Sequence, residues 1–246
     1  MGCPVASPVA SPATGPVASP ATGPVASVVV SPVRPLFASV LYLPPMELSD
    51  AVRGRRMVRS FSSTPVPSAV LERVLELACT APSAGNTGGW DAVVLSGPEQ
   101  TERFWEATTT ADWRMGSRRW AGMARAPVVV ALFAHPEAYL ERYRLPDKHH
   151  SDLGHEEGAW PVPYWFVDAG FAALLLLLAA TDAGLGACFL GNFRGEAHLR
   201  VALGVPDTRR YVGAVVMGTP DGADRPSSSA ARGRRQPPEV VHRGHW

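Results

Sequence analysis

The feature that most limits what this chain can fold into is the run between Asp168 and Asp182. Every residue between these two carboxylates is apolar or glycine except Thr181. A membrane span needs about 20 such residues, so the run reads as a helix buried in a folded domain and apolar on every side. Such a helix must be covered all round, by its own domain or by a partner subunit. Gly184 and Gly186 end it.

Around this helix the patterns alternate. Val70, Leu71, Val74, Leu75 and Ala78 recur at helical spacing, so residues 68–80 are expected as a helix. A short helix is expected over Leu48 to Arg56, and others over Pro98 to Ala107 and Glu196 to Leu203. Strands are expected at Asp91 to Ser96, Val128 to Ala134 and Tyr211 to Met217. Residues 135–164 read as one long irregular region, and 219–237 as a polar Pro/Gly/Arg-rich segment. Helices interleaved with separated strands indicate one α/β or α+β domain.

Residues 1–45 are different. They hold ten prolines and one charged side chain, Arg34. The octapeptide PVASPATG runs from Pro8 to Gly15, repeats from Pro16 to Gly23 and starts again at Pro24. Proline every four residues forbids helix and removes ladder donors, so a tail leaning to polyproline II is expected. Ala6 breaks the myristoylation pattern that Met1-Gly2 begins. No charged region precedes a continuous apolar core, as a secretory signal requires. The folded domain is expected to occupy 46–246, with the tail dispensable.

Composition removes some functions. A net charge of +1, from 23 basic and 22 acidic residues, excludes general nucleic-acid binding through bulk positive potential. Lys148 is the only lysine, so arginine carries almost any anion contact, and its planar fork suits phosphate. Cys3, Cys79 and Cys188 are too few and too scattered for a disulfide framework or a cysteine zinc site, which fits a reducing, cytoplasmic setting.

Four segments could carry chemistry. Arg55-Arg56-Met57-Val58-Arg59 follows the first helix. If that helix continues, Arg55 and Arg59 share a face, where unpaired like charges cost a few tenths of a kcal/mol and invite an anion; the alternative is a solvated basic cap. Ala81 to Trp90, APSAGNTGGW, has small residues that let a ligand approach the backbone. Its Asn86 amide suits a heterocycle edge; otherwise it is a plain helix-to-strand connection. Gly184 to Gly191 lacks the dinucleotide fingerprint spacing and follows a helix instead of opening one, which leaves a helix stop leading to a strand. His149, His150, Asp152, His155, Glu156 and Glu157 imitate a metal cluster, but without a His-Glu-x-x-His pair they read as a polar lid loop. No catalytic triad or nucleophile elbow is present in the sequence pattern.

Read in order, these segments resemble the FMN-dependent nitroreductase family. The resemblance rests on Arg55-Arg56-x-x-Arg59-Ser60-Phe61, then Ala81-Pro82-Ser83-Ala84-Gly85-Asn86-Thr87 before Trp90. It continues through Asp168 opening the apolar helix, Gly184-Leu185-Gly186, Leu203-Gly204-Val205-Pro206, Met217-Gly218-Thr219-Pro220 and the closing Arg232-Gly233-Arg234-Arg235. It spans roughly Met46 to Val241.

The resemblance implies an α+β fold with a central mixed sheet flanked by helices, and the long helix at a homodimer interface. It implies FMN as cofactor, with Arg55 and Arg56 on the phosphate and ribityl chain and Arg59 near the pyrimidine edge of the ring. Pro82, Ser83 and Asn86 would line the ring, the backbone N–H groups of Leu190 and Gly191 would approach N5, and Arg232 and Arg234 would return to the phosphate. NADH or NADPH would reduce an electron-poor small-molecule acceptor, nitroaromatic or quinone, in a ping-pong cycle. No metal and no side-chain nucleophile or base would be needed. A flavin carrier or flavin-fragmenting enzyme of the same fold is the alternative. Two departures stand out. Met57 replaces a usual serine in the phosphate and ribityl set, and Gly88-Gly89 replaces a common Gln-Pro. Trp160, Pro161, Tyr164, Trp165 and Phe166 are expected either as an aromatic wall over the ring or as dimer-core packing.

Overall fold

The computed structural model describes residues 46–246, apart from 118, 192–194, 226–227 and 229–231. The expected tail and its octapeptide lie outside the described residues.

Four strands form the sheet: β1 (Trp90–Ser96), β2 (Val128–Ala134), β3 (Gly186–Leu190) and β4 (Arg210–Gly218), in the order β1-β2-β4-β3. The two central strands explain the core. Every residue of β2 is buried, and the strand's period of two sends its side chains into two layers. Val128, Val130 and Leu132 pack with Val215, Met217 and Ala187 against α2 (Ser68–Cys79) and α7 (Tyr164–Asp182). Val129 packs with Val216, Ala214 and Cys188 against Phe104 and Trp105 of α3 (Pro98–Thr108) and Leu199 of α8 (Glu196–Leu203). The result is a three-layer α+β sandwich with helices on both faces.

The expected mixed sheet is antiparallel across its four strands. Its parallel pairing among the described residues is the single bridge from Met57 to Ala187 on the outer edge of β3. The Val58 N–H donates to the Ala187 carbonyl at 2.9 Å.

Several boundaries differ from expectation for identifiable reasons. Helix α1 (Leu48–Gly54) stops before the arginines, and Arg55 is extended at φ −55°, ψ 124°. Arg55 and Arg59 therefore do not share a helical face; pairing of the next residues with β3 takes the chain out of helix. Helix α7 begins at Tyr164, directly after Pro163, so Tyr164, Trp165 and Phe166 are its first turn and not a preceding loop. Helices α4 (Ala111–Gly116) and α5 (Trp120–Met123) are too short for periodicity to reveal. The supposedly irregular stretch 135–164 contains α6 (Pro136–Tyr143), with Pro136 at its first turn, and two 3-10 turns.

Helix α7 ends as its glycine requires. Gly184 has φ 71°, its N–H donates to the Thr181 carbonyl, and Leu185 N–H donates to the Ala180 carbonyl at 2.8 Å. This is a Schellman stop, which needs a left-handed residue at that position. Among the described residues α7 is the one helix long and apolar enough to cross a membrane, yet here it packs along α2 and over the sheet. It is not covered all round. Phe166, Phe171 and Leu174 are 40%, 42% and 48% exposed, and with exposed Gly170, four residues from both Phe166 and Leu174, they form an uncovered apolar patch.

Candidate functional site

The edge of β3 collects positive charge. Burial pushes the Cys188 thiol up, while the guanidiniums of Arg59, Arg119 and Arg55 pull it down and the Asp224 carboxylate pushes it up. Three guanidiniums and one carboxylate therefore act electrostatically on the middle of β3. Arg59 Nη1 donates to the Met57 carbonyl at 2.8 Å, and its backbone N–H donates to Asp224 Oδ1 at 3.2 Å. Arg55 Nη1 is buried and has no hydrogen-bond acceptor among the described residues. A buried guanidinium nitrogen left without a partner is costly, so an anionic or strongly accepting group would be favoured at this position.

The backbone around these arginines is tied down from the other side. Asp221 accepts from Ser60 Oγ at 2.7 Å, Ala223 N at 2.8 Å and Arg125 Nη2 at 2.5 Å. These donors, Ala223 N–H foremost, hold its carboxyl below the usual carboxylate range. Arg125 Nε also donates to the Phe61 carbonyl at 2.8 Å. Met57, at the expected serine position, packs against both core layers, and its Sδ accepts the Phe189 N–H at 3.4 Å.

The second set lies elsewhere. In the loop from Pro82 to Gly89, Ser83 Oγ accepts Gly88 N–H at 2.8 Å, and Thr87 Oγ1 donates to the Ala84 carbonyl at 2.6 Å. Asn86 is exposed and sits at φ 54°. Asp168 of α7, buried, accepts Ala84 N–H at 2.8 Å and the Tyr139 hydroxyl at 2.6 Å on one oxygen, Oδ2. Arg142 Nε donates to the Gly85 carbonyl at 2.8 Å. Tyr139 also explains Gly89: a Cβ there would stand inside contact distance of the Tyr139 ring. Helices α6 and α7 thus clamp this loop from two sides.

The nitroreductase family model matches residues 52–219, which takes in the arginine segment, the clamped loop and all four strands. The chain belongs to the nitroreductase family. It is 30% identical over 203 residues to the NADH dehydrogenase of Thermus thermophilus, covering 75% of this chain and 92% of that protein. It is 29% identical over 232 residues to the 4-nitrobenzoate reductase of Nocardioides sp., covering 82% and 90%. A nitroreductase in complex with FMN from Exiguobacterium sibiricum has the same fold, with TM-score 0.60 and 19% identity over 81% of this chain and 98% of that one.

Within this nitroreductase chain the expected site residues fall into separate groups. Arg55, Met57 and Arg59 lie along β3, whose end is Leu190, followed by Gly191. Arg56 is exposed beside them. Pro82, Ser83 and Asn86 lead into β1 at the opposite edge of the sheet. By strand register, Met57 stands level with Ser96, whereas the loop joins at Trp90. The two groups are therefore about 19 Å apart across the strands and about 20 Å along them. Arg232 and Arg234 are exposed beyond β4, where the Arg234 carbonyl accepts from Gln236 Nε2 at 3.1 Å; no described contact joins them to Arg55.

Two outcomes were not foreseen. Arg119 joins the cationic group through α5, and no local motif marks it. Trp160 and Trp165 are buried with Tyr139 and Tyr143, and Trp160 Nε1 donates to the Leu153 carbonyl at 2.9 Å. They support the loop clamp from within the chain, so these two are core packing of the protomer, which neither the aromatic-wall nor the dimer-core expectation describes.

Proposed function

We propose that this nitroreductase-family chain is one protomer of a cytoplasmic, homodimeric FMN-dependent oxidoreductase. It uses NADH or NADPH to reduce an electron-poor small molecule such as a nitroaromatic or a quinone. The observation that carries the reading is the buried, partnerless Arg55 Nη1 among three guanidiniums beside β3. The relatives named NADH dehydrogenase and 4-nitrobenzoate reductase, and the FMN held by a protein of the same fold, support it.

The residues present fit FMN. Arg55 and Arg56 hold the phosphate and ribityl chain, which suits the planar, charge-assisted donors of arginine. Arg59 sets a positive charge at the pyrimidine edge, where reduction places negative charge. Leu190 and Gly191 offer backbone N–H groups toward N5. Arg232 and Arg234 would join the phosphate contacts, as the family resemblance implies. Bound FMN supplies the two-electron chemistry that no side chain here performs. Overall, NAD(P)H gives up two electrons and one proton, the acceptor gains two electrons and two protons, and the second proton comes from water.

The separation of the two groups supports a dimer. Pro82, Ser83 and Asn86 of one protomer complete the ring site of its partner, because one chain holds them too far from its own Arg59. The exposed α7 patch of Phe166, Phe171 and Leu174 is the surface that this pairing covers. Burying the part of each that is still exposed, a little under half, contributes about 1 kcal/mol apiece. Purified protein should be yellow, and NADH or NADPH should bleach it anaerobically. Flavin that stays bound but inert to both nicotinamides would favour a carrier.

A further inference from the structure

The loop that carries Asn86 has an uncommon backbone shape. Gly85 and Asn86 follow one another in the left-handed region, at φ 65° and φ 54°. Glycine takes that shape freely; asparagine reaches it more easily than other side chains but is not held there by its own preference. Inside the loop the polar groups pair with one another. Asn86 N–H donates to the Ser83 carbonyl at 3.0 Å, and Thr87 N–H donates to the Ala84 carbonyl at 3.3 Å. The Ser83 and Thr87 hydroxyls serve the loop's own backbone. None of these contacts uses the Asn86 side-chain amide, and Asn86 is exposed.

The last turn of α6 acts on this shape from outside the loop. The Tyr143 ring lies so close to Gly85 that a Cβ there would stand 3.0 Å from it. Arg142 takes the carbonyl of the same glycine, donating from Nε at 2.8 Å. That carbonyl belongs to the planar peptide joining Gly85 to Asn86, so holding it restrains ψ of Gly85 and φ of Asn86 together. The other two guanidinium nitrogens donate to the two oxygens of Asp147, at 2.8 and 2.7 Å. A two-point pair of this kind fixes the plane of the guanidinium, and so the direction of Nε. These hydrogen bonds hold the Asp147 carboxyl below the usual carboxylate range. The Asp147 side chain is 59% exposed, where an ion pair adds little stability; what this one supplies is aim.

We propose that Arg142 is a positioning residue for the flavin site: aimed by Asp147, it pins the Gly85 carbonyl and thereby holds Asn86 in the left-handed turn that presents its amide to the ring of bound FMN. This rests on the FMN reading above and adds the ion pair that sets the geometry of one of its contacts. Tyr139 and Asp168 anchor the loop at Ala84; Arg142 orients the peptide that leads into Asn86. It acts through that side chain and not by contact with the cofactor.

The test is a double-mutant cycle in FMN affinity, with Arg142→Met and Asn86→Ala, titrating FMN into flavin-depleted full-length protein. Methionine keeps an unbranched stem and removes every donor. Arg142→Met should raise the Kd for FMN about tenfold when Asn86 is present and less than twofold in Asn86→Ala, which has no amide left to orient. Asp147→Asn, at an exposed position, should raise it severalfold with the same dependence on Asn86. In flavin-free protein, hydrogen exchange of the amides at 84–88 should be at least tenfold faster in Arg142→Met, with β2 unchanged. An equal loss of affinity in both backgrounds, as simple destabilisation would give, overturns the proposal, as does no loss in either or exchange equal to wild type; the oxidoreductase reading then stays intact, because wild type binds FMN. Wild-type protein that takes up no FMN overturns that reading, and faster exchange confined to 84–88 in Arg142→Met still upholds Arg142 as the residue that sets the loop.

Discussion

The Tyr139 hydroxyl donates to Asp168 Oδ2 at 2.6 Å, on the same oxygen that receives the Ala84 N–H. One buried carboxylate thereby joins α6, α7 and the loop that carries Ser83 and Asn86. Removing the hydroxyl by Tyr139→Phe leaves that carboxylate one donor short. The expected loss is about 1–3 kcal/mol of stability, read by urea denaturation, together with weaker FMN retention, because the loop loses its anchor. Stability and flavin affinity both equal to wild type would contradict the clamp.

The same contact has a pH signature. Burial first, then the Asp168 hydrogen bond and charge, push the Tyr139 phenol far above its ordinary range. The folded state therefore keeps the proton while an unfolded chain loses it near pH 10. The stabilisation is complete below that pH and is lost as pH rises above it. Burial likewise pushes the Tyr211 phenol up, so absorbance near 295 nm should show two tyrosines that do not ionise until the protein unfolds, and one in Tyr139→Phe.

Gly89 is matched to Tyr139. Gly89→Ala should cost about 1–3 kcal/mol through overpacking, and markedly less in a Tyr139→Leu background, where the ring is gone. Equal costs in both backgrounds, measured as a double-mutant cycle in denaturant, would separate the two residues.

Asp221 ties the segment after β4 to the arginine segment. Its carboxyl is held below the usual range by Ala223 N–H, Ser60 and Arg125. A depressed carboxylate contributes stability that is present above its unfolded pKa and lost as pH falls through the folded value. Acidification below about pH 4 should loosen the contacts of Asp221 with Ser60 and Arg125. Asp221→Asn should remove that part of the acid dependence, as read from melting temperature against pH.

The α7 patch predicts assembly. Phe171→Asp should shift the protein toward monomer in sedimentation and reduce bound FMN in parallel. Monomeric protein with full flavin would contradict the shared site.

The core was readable from the sequence because it is periodic. Val128 to Ala134, the α2 face and the apolar α7 run each carry a strong local pattern, and their positions match within a few residues. The order of the arginine and small-residue segments carried the family. What stayed hidden depends on contacts distant in sequence. The Asp168–Tyr139–Ala84 junction links residues 84, 139 and 168. Arg119 reaches the site only because α5 folds back beside β3. Arg55 and Arg59 would share a helical face only if α1 continued, and pairing of Met57 and Val58 with Ala187 takes the chain out of helix. Helix α6 was missed because eight residues between a proline and a turn give too little periodicity.

The most direct measurement is FMN titration of flavin-depleted wild-type protein and Arg55→Ala, followed by quenching of flavin fluorescence. Wild type should bind one FMN per chain, and Arg55→Ala should lose on the order of 2 kcal/mol, about 30-fold in Kd, while remaining folded by circular dichroism. A folded wild-type protein that takes up no FMN, or an Arg55→Ala variant that binds it equally well, would contradict the account.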